Sequence, residues 1–441
     1  MNHLNYLKKQ LDAQPDLQYV LSSHNWSTDF LRFYHSQTNY NISKDRFSIG
    51  AKMWRGKKSY AFAIDEPDQA RIDATLAEAL GIIDQLSEDP DFVDLESDLT
   101  LAAPSKVPNN IEDIPLQLKT QILQELADAA QPHNFEIYGT FICNQSTSRI
   151  INSNGMDKSS TGSPIYLEVK AVHNQSQVTV LETWGGEDFS RFHLPTFKAR
   201  LLEKIAHCAN PVVDVDPGYY DVIFAPRCIA ELAQYLAWGM SARAIDQRSS
   251  YFEGKLDTQV FPTYLSITDD PKDKDIISQD YGSDGHIYRP LKLIDKGMFK
   301  AFFCDNYYSH KTGLPKNGNT GDCLRIDAGD KSLEEMIGGV KRGLYISSLH
   351  YMNFINMKET SITGLTRDGT FLIEDGKITR VVNSLRFTDR IERIFKNILA
   401  LESTASVIPF SENYDTFSIS SVKAPHALVK DFNISSSTHT I

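Results

Sequence analysis

Thr363-Gly364-Leu365-Thr366-Arg367-Asp368-Gly369-Thr370-Phe371-Leu372-Ile373-Glu374-Asp375-Gly376-Lys377-Ile378 places Asp-Gly twice between apolar runs. Asp-Gly accepts the positive φ angles of a two-residue turn, so this stretch predicts two successive β-hairpins. Around it, segments 285–294, 298–304, 343–350, 359–365, 369–374, 377–382 and 385–387 all read as extended. A helix is expected over 389–401, where Ile391, Ile394, Phe395, Ile398 and Leu399 recur at helical spacing. Beyond Ser411 the tail is polar, and its last ten residues are expected to fray.

Upstream, a helix follows Pro226 to about Arg248, with Ile229, Leu232, Leu236 and Met240 on one face. Asn210-Pro211-Val212-Val213-Asp214-Val215-Asp216-Pro217-Gly218 reads as a link, since its prolines break helix on both sides. Residues 116–130 and 196–208 are amphipathic helices. They bracket strands at 136–144, 148–153, 165–173 and 177–184, with a tight turn at Asn154-Gly155. Segment 95–110, with Pro104 and Pro108, reads as a connector. Ahead of it lie short strands near 19–22, 48–52 and 59–64 and a helix over 73–85. The class is α+β: a mixed module over 1–110, a helix-plus-strands module over 111–210, and a large, mainly antiparallel domain over 211–441.

The 441 residues carry a net charge of −12, which opposes direct nucleic-acid binding. No run of 18 apolar residues and no apolar leader occurs, so a cytoplasmic protein without membrane contact is expected. Cys143, Cys208, Cys228, Cys304 and Cys323 are odd in number and form no Cys-x-x-Cys pair, which predicts buried thiols.

Several ordered blocks carry a family resemblance. Val215-Asp216-Pro217-Gly218 precedes a strand and a helix, and Ser250-Tyr251-Phe252-Glu253-Gly254-Lys255-Leu256 follows that helix. Gly318-Asn319, Asp327-Ala328-Gly329-Asp330-Lys331-Ser332 and Gly343-Leu344-Tyr345-Ile346 come next, and the opening stretch 363–378 closes the series. Together they resemble the C-terminal region of the TldD/PmbA peptidase family. Ile151-Asn152-Ser153-Asn154-Gly155 resembles its Asn-Ser-x-Gly turn more loosely.

The resemblance implies a zinc site in the catalytic members. There, His-Glu-x-x-x-His on the helix after the opening strand supplies two imidazoles and a general base, and a later Cys completes the ligand set. Counted back from Ser250 without gaps, the histidine positions fall on Ala233 and Trp238 and the Glu on Gln234. None of the three serves: Ala has no ligand atom, indole N–H only donates, and Gln is no base. No two of the twelve histidines are four or five residues apart, and no cysteine follows Cys323. This departure resembles the PmbA, or TldE, branch. It implies a chain with no catalytic residue and no metal of its own, zinc being expected only in a TldD-like partner. The implied assembly is a heterodimer admitting unfolded peptides. A self-paired, peptide-binding homodimer is the alternative.

Extended peptides bind exposed sheet edges through main-chain hydrogen bonds, and the hairpins at 359–382 offer such an edge or a dimer interface. The one crowd of thiols and imidazole, Cys304, His310 and Cys323, matches no ligand spacing but leaves open a hydrolase with an unusual site. Asp269-Asp270-Pro271-Lys272-Asp273-Lys274-Asp275 reads as a solvated turn, or else a cation site. The glycine-rich 313–321 lacks a phosphate-loop ending and reads as a mobile loop near the cleft. Trp238 and Met240 are expected to fill the volume left by the metal site.

Overall fold

Leu4, Leu7 and Leu11 recur at helical spacing and bury one stripe of α1 (His3–Asp12), a helix whose polar flanks hide it from a periodicity reading. The computed structural model describes residues 3–99, 111–412 and 417–437; Pro104 and Pro108 of the expected connector lie outside them. A long hairpin follows, β1 (Leu17–Tyr34) and β2 (Gln37–Arg55), turning on His35 and Ser36 with φ of 49° and 59°. The expected short strands are the buried ends of this ribbon, whose solvated middle carries no apolar alternation. Then come β3 (Lys58–Asp65) and α2 (Gln69–Ile83), capped by the Asp68 side chain accepting from the Arg71 amide.

The expected helix at 116–130 is α3 (Leu116–Ala130). Segments 136–144 and 148–153 merge into β4 (Phe135–Asn152), because Gln145, Ser146 and Thr147 stay paired to β1 through their backbones. Asn154-Gly155 turns the chain into β5 (Asp157–Gly162), followed by β6 (Ile165–His173), β7 (Thr179–Gly186) and α4 (Leu194–His207). These seven strands form one antiparallel sheet, ordered β3-β2-β1-β4-β6-β7 with β5 beside β4. β7 is an edge.

The proline-flanked link contributes β8 (Val212–Val213) before β9 (Gly218–Phe224). The helix expected over 226–248 breaks at Gly239-Met240-Ser241 into α5 (Pro226–Trp238) and α6 (Ala242–Asp246), the second capped by Ser241. β10 (Ile267–Asp269) was not anticipated, and β11 (Leu291–Asp295) and β12 (Met298–Phe299) are shorter than expected, since 285–290 and 300–304 are loop. α7 (Asn306–Thr312), β13 (Leu324–Ile326) and α8 (Leu333–Gly338) lead into β14 (Arg342–Asn356) and β15 (Ser361–Glu374).

The first Asp-Gly is not a hairpin. Asp368 and Gly369 stand opposite Ser347 alone, as a bulge inside one continuous strand, with φ of 52° and 111°. Asp375-Gly376 is the two-residue turn, leading from β15 into β16 (Lys377–Val382). β17 (Leu385–Arg390) and α9 (Ile391–Lys396) follow; the expected helix stops at Asn397, and β18 (Ile398–Leu401) pairs with the last strand. The tail forms β19 (Ser406–Glu412), β20 (Ser418–Ala424) and β21 (Ala427–Ser437). β21 lies between β9 and β17, and Phe432 and Ile434 within it are each 1% exposed, so the expected fraying is corrected for the described residues.

A six-stranded sheet runs β12-β11-β10-β13-β20-β19, with β19 as an edge. In the third sheet β14 pairs with both β9 and β15, so the pairing β14-β9-β21-β17-β15 returns on itself. Closure removes edges. The edge expected at 359–382 is therefore closed along β15, which is paired on both sides, while β16, outside the closed path, pairs with β8 only through Val381 and Val382. α5 packs against β14 and β20, burying Cys228, Ile229, Leu232, Ala233 and Leu236 in the main core. The fold is α+β.

Candidate functional site

α5 is the helix on which the resemblance would place a zinc site, and its composition decides what it can hold. Ala233 is buried at 2% exposure, Gln234 is half-buried, and Trp238 is 54% exposed, stacked on Tyr235 at 4.7 Å. Trp238 thus lies on the surface rather than filling a vacated core, while Met240 is buried as expected. Cys304 is buried, its thiol pushed up to about 11 by desolvation, which opposes nucleophilic activation. His310 is exposed on α7, and Cys323 is buried with its amide donating to Asp269 (2.9 Å). Among the described residues no three His, Cys, Asp or Glu side chains gather as a metal set. The zinc implied by the family does not fit the residues on α5.

Two loops differ from expectation. The glycine-rich loop is pinned: Asn319 is buried and donates to Asp269 and to the Arg289 carbonyl, both at 2.8 Å. The acidic turn is anchored too, with Lys423 on Asp273 (3.1 Å) and Asp275 (2.7 Å), and Arg191 also on Asp275.

The large opening lies elsewhere on α5, at its N-terminal end. A cavity of about 1430 Å³ is bounded by β7, α4, the start of α5, β14, β19 and α8. Two of its walls, β7 and β19, are edge strands. They abut at Gly185, where a Cβ would meet Pro409 at 2.5 Å, so glycine permits the approach. On the β7 wall, Glu182 is nearly buried and pairs with Arg200 (2.9 Å) and Lys204 (2.6 Å). Lys204 also donates to the Leu181 carbonyl (2.7 Å).

A second polar group faces the same space. His426 Nδ1 donates to Glu402 (2.6 Å), which leaves Nε2 to accept from the Tyr345 hydroxyl (3.1 Å); this tautomer follows from the partners. The His426 hydrogen bond holds Glu402 below the usual carboxylate value against its burial. Burial pushes Tyr345 far above the ordinary phenol range. On α5, Arg227 Nε lies 3.3 Å from Glu231, and desolvation pushes Glu231 up to about 7 despite the guanidinium. Arg227 and Glu231, four apart on an apolar helix, are a legible, partly buried pair. Tyr345, Glu402 and His426 come from three separate segments and leave no spacing signal.

α5 thus buries an apolar face in the core and starts at a cavity walled by two edge strands. Residues 217–436 match the PmbA/TldA metallopeptidase C-terminal domain. The fold is shared with TldE from Thermococcus kodakarensis, at TM-score 0.84 and 18% identity over 98% of this chain and 99% of that one. A metalloprotease PmbA homolog of Buchnera aphidicola is 25% identical over 41% of this chain and 40% of its own length. A zinc metalloprotease TldD homolog of Saccharolobus solfataricus is 27% identical over 42% of this chain and 46% of its own. In both relatives the match spans less than half of the relative's length. This chain belongs to the TldD/PmbA family and is metalloprotease-like in fold. No helix among the described residues is long and apolar enough to cross a membrane.

Proposed function

We propose that this chain is the non-catalytic, TldE-type subunit of a TldD/PmbA-family zinc peptidase, working on unstructured peptides in the cytoplasm. The observation that carries the reading is α5 with Ala233, Gln234 and Trp238 where two imidazoles and a carboxylate would stand. A helix so furnished neither grips zinc nor activates water. What remains is holding a peptide. The cavity accommodates an extended chain, and the edges β7 and β19 offer main-chain groups for strand addition independent of side-chain sequence. Zinc and the attacking water come, in this reading, from a TldD-like partner, in keeping with the TldD and TldE relatives.

The test is reconstitution with a homologue carrying the zinc helix. The purified chain alone should bind an unfolded peptide without cutting it. The mixture should co-elute, cleave, and lose cleavage to a chelator. Cleavage by this chain alone, with chelator present, would overturn the proposal.

A further inference from the structure

The start of α5 is unusual for a buried helix end. Its cap residue Ala225 has no side-chain hydrogen bond to give, and Pro226 at the first position has no N–H. The amides of Cys228 and Ile229 turn back to the Ala225 carbonyl (3.0 and 3.4 Å). The Arg227 amide makes no hydrogen bond among the described residues. Ala225, Pro226 and Arg227 all line the cavity.

A separate observation points to the same spot. β9 and β14 run parallel with Phe224 opposite Ile346, and the Ala225 amide donates to the Ile346 carbonyl (2.9 Å). The next residue, Ser347, therefore stands beside the helix start, on the cavity wall. Ser347 is only 7% exposed, and its hydroxyl has no hydrogen-bond partner among the described residues. The bulge opposite makes room for it: a Cβ on Gly369 would come 2.7 Å from Ser347 Oγ. On the cavity wall, that hydroxyl is available to a ligand atom entering the cavity.

Arg227 adds charge. Its Nε faces Glu231 (3.3 Å), Nη1 faces the Pro409 carbonyl (3.4 Å), the guanidinium lies over the Phe410 ring (5.0 Å), and Tyr166, Glu168 and Asp368 also face it; the two stated geometries use two of its five N–H donors. The other carboxylates that face Arg227, Glu168 and Asp368, each have a further partner. Asp368 is held by Lys170 (2.7 Å) and Thr179 (2.7 Å), and Glu168 accepts from Tyr166 (2.5 Å). A guanidinium, a free amide and a hydroxyl at the positive end of a helix suit a planar, singly charged oxyanion.

We infer that Arg227, the Arg227 amide and Ser347 form a seat for the C-terminal carboxylate of a peptide lying in the cavity. The inference rests on the peptide-binding reading and adds which end of the peptide is fixed.

The test is fluorescence anisotropy on the full-length chain, with one unstructured peptide labelled at its N-terminus and made as the free acid and the C-terminal amide. Calorimetry with N-acetylglycine and with inorganic phosphate accompanies it. The acid should bind about tenfold more tightly than the amide, the scale of a charge-assisted pair. Arg227→Met should abolish that preference, and Ser347→Ala should reduce acid binding about fivefold while leaving the amide unchanged. Both variants are checked for unchanged Tm; if Arg227→Met is unfolded, Ser347→Ala alone decides. Equal affinity of acid and amide overturns the seat and leaves peptide binding standing. Binding of N-acetylglycine without either peptide keeps the seat and overturns the peptide reading. Phosphate bound as tightly as N-acetylglycine overturns the assignment to a carboxylate.

Discussion

Glu231 sits one turn into α5, 3.3 Å from Arg227, where burial and the guanidinium pull its proton in opposite directions. Burial dominates and pushes the carboxyl from its ordinary 4.5 up to about 7. A value raised on folding means the native state holds the proton more tightly than the unfolded chain. Stability from this group is therefore fully present below 4.5 and declines as pH climbs towards 7. We expect a carbon-detected NMR titration of Glu231 with a midpoint near 7, and a higher midpoint in Arg227→Met, where the opposing charge is gone. A midpoint near 4.5 would show the pair to be solvated. Glu402 has the opposite sign: His426 depresses it, so its contribution is lost as pH falls through its lowered value. His426→Gln should therefore raise the Glu402 midpoint in the same experiment. Of these residues, only the Arg227/Glu231 spacing was visible in sequence. A pattern within one helix can be sought in sequence; a cluster assembled from β14, the residue after β18 and the β20–β21 turn cannot.

Elements were legible where apolar periodicity was unbroken, as in α3, and illegible where backbone pairing carried the strand. β1 and β2 continue through polar residues because each amide already has a partner across the ribbon, so side chains there need not alternate. The same cause misled at the C-terminus, where Asn433, Ser435 and Ser436 look solvated yet β21 is paired on both sides. Removing residues 432–441 deletes Phe432 and Ile434, each 1% exposed, and each worth about 2 kcal/mol of burial. It also unpairs β21 from β17 and from residues Gly218–Tyr220 of β9. We expect that truncation to lose near-UV circular dichroism and protease resistance, whereas a frayed tail would be removed without a change in Tm. The bulge is the second case. Asp-Gly signals positive φ but does not say whether a turn or a bulge uses it, and here the long partner strand β14 decides. Gly369→Val forces a β-branched residue to φ of 111° and against Ser347. It should cost about 1–3 kcal/mol, read as a lowered denaturant midpoint at unchanged m-value.

At the scale of the whole molecule, closure and opening divide the labour. The third sheet closes on itself around the main core, while β7 and β19 bring their edges to one cavity. The chain carries −12, yet basic and acidic side chains line that cavity in equal number, so its wall does not sort peptides by charge. Peptides of opposite net charge should accordingly bind with affinities within a few-fold at moderate salt. The same architecture bears on metal dependence. In proteins whose metal binding is coupled to folding, chelation removes stability directly. Here the face of α5 turned inward is closed by Cys228, Ile229, Leu232, Ala233 and Leu236, which complete the core by packing alone. The isolated chain should therefore keep its Tm within about 1 °C on treatment with 1,10-phenanthroline, since no ligand-linked stabilisation is removed. Cleavage by the reconstituted pair should disappear under the same treatment. A fall of several degrees in the isolated chain would reveal a structural metal, and with it a ligand set that α5 does not supply.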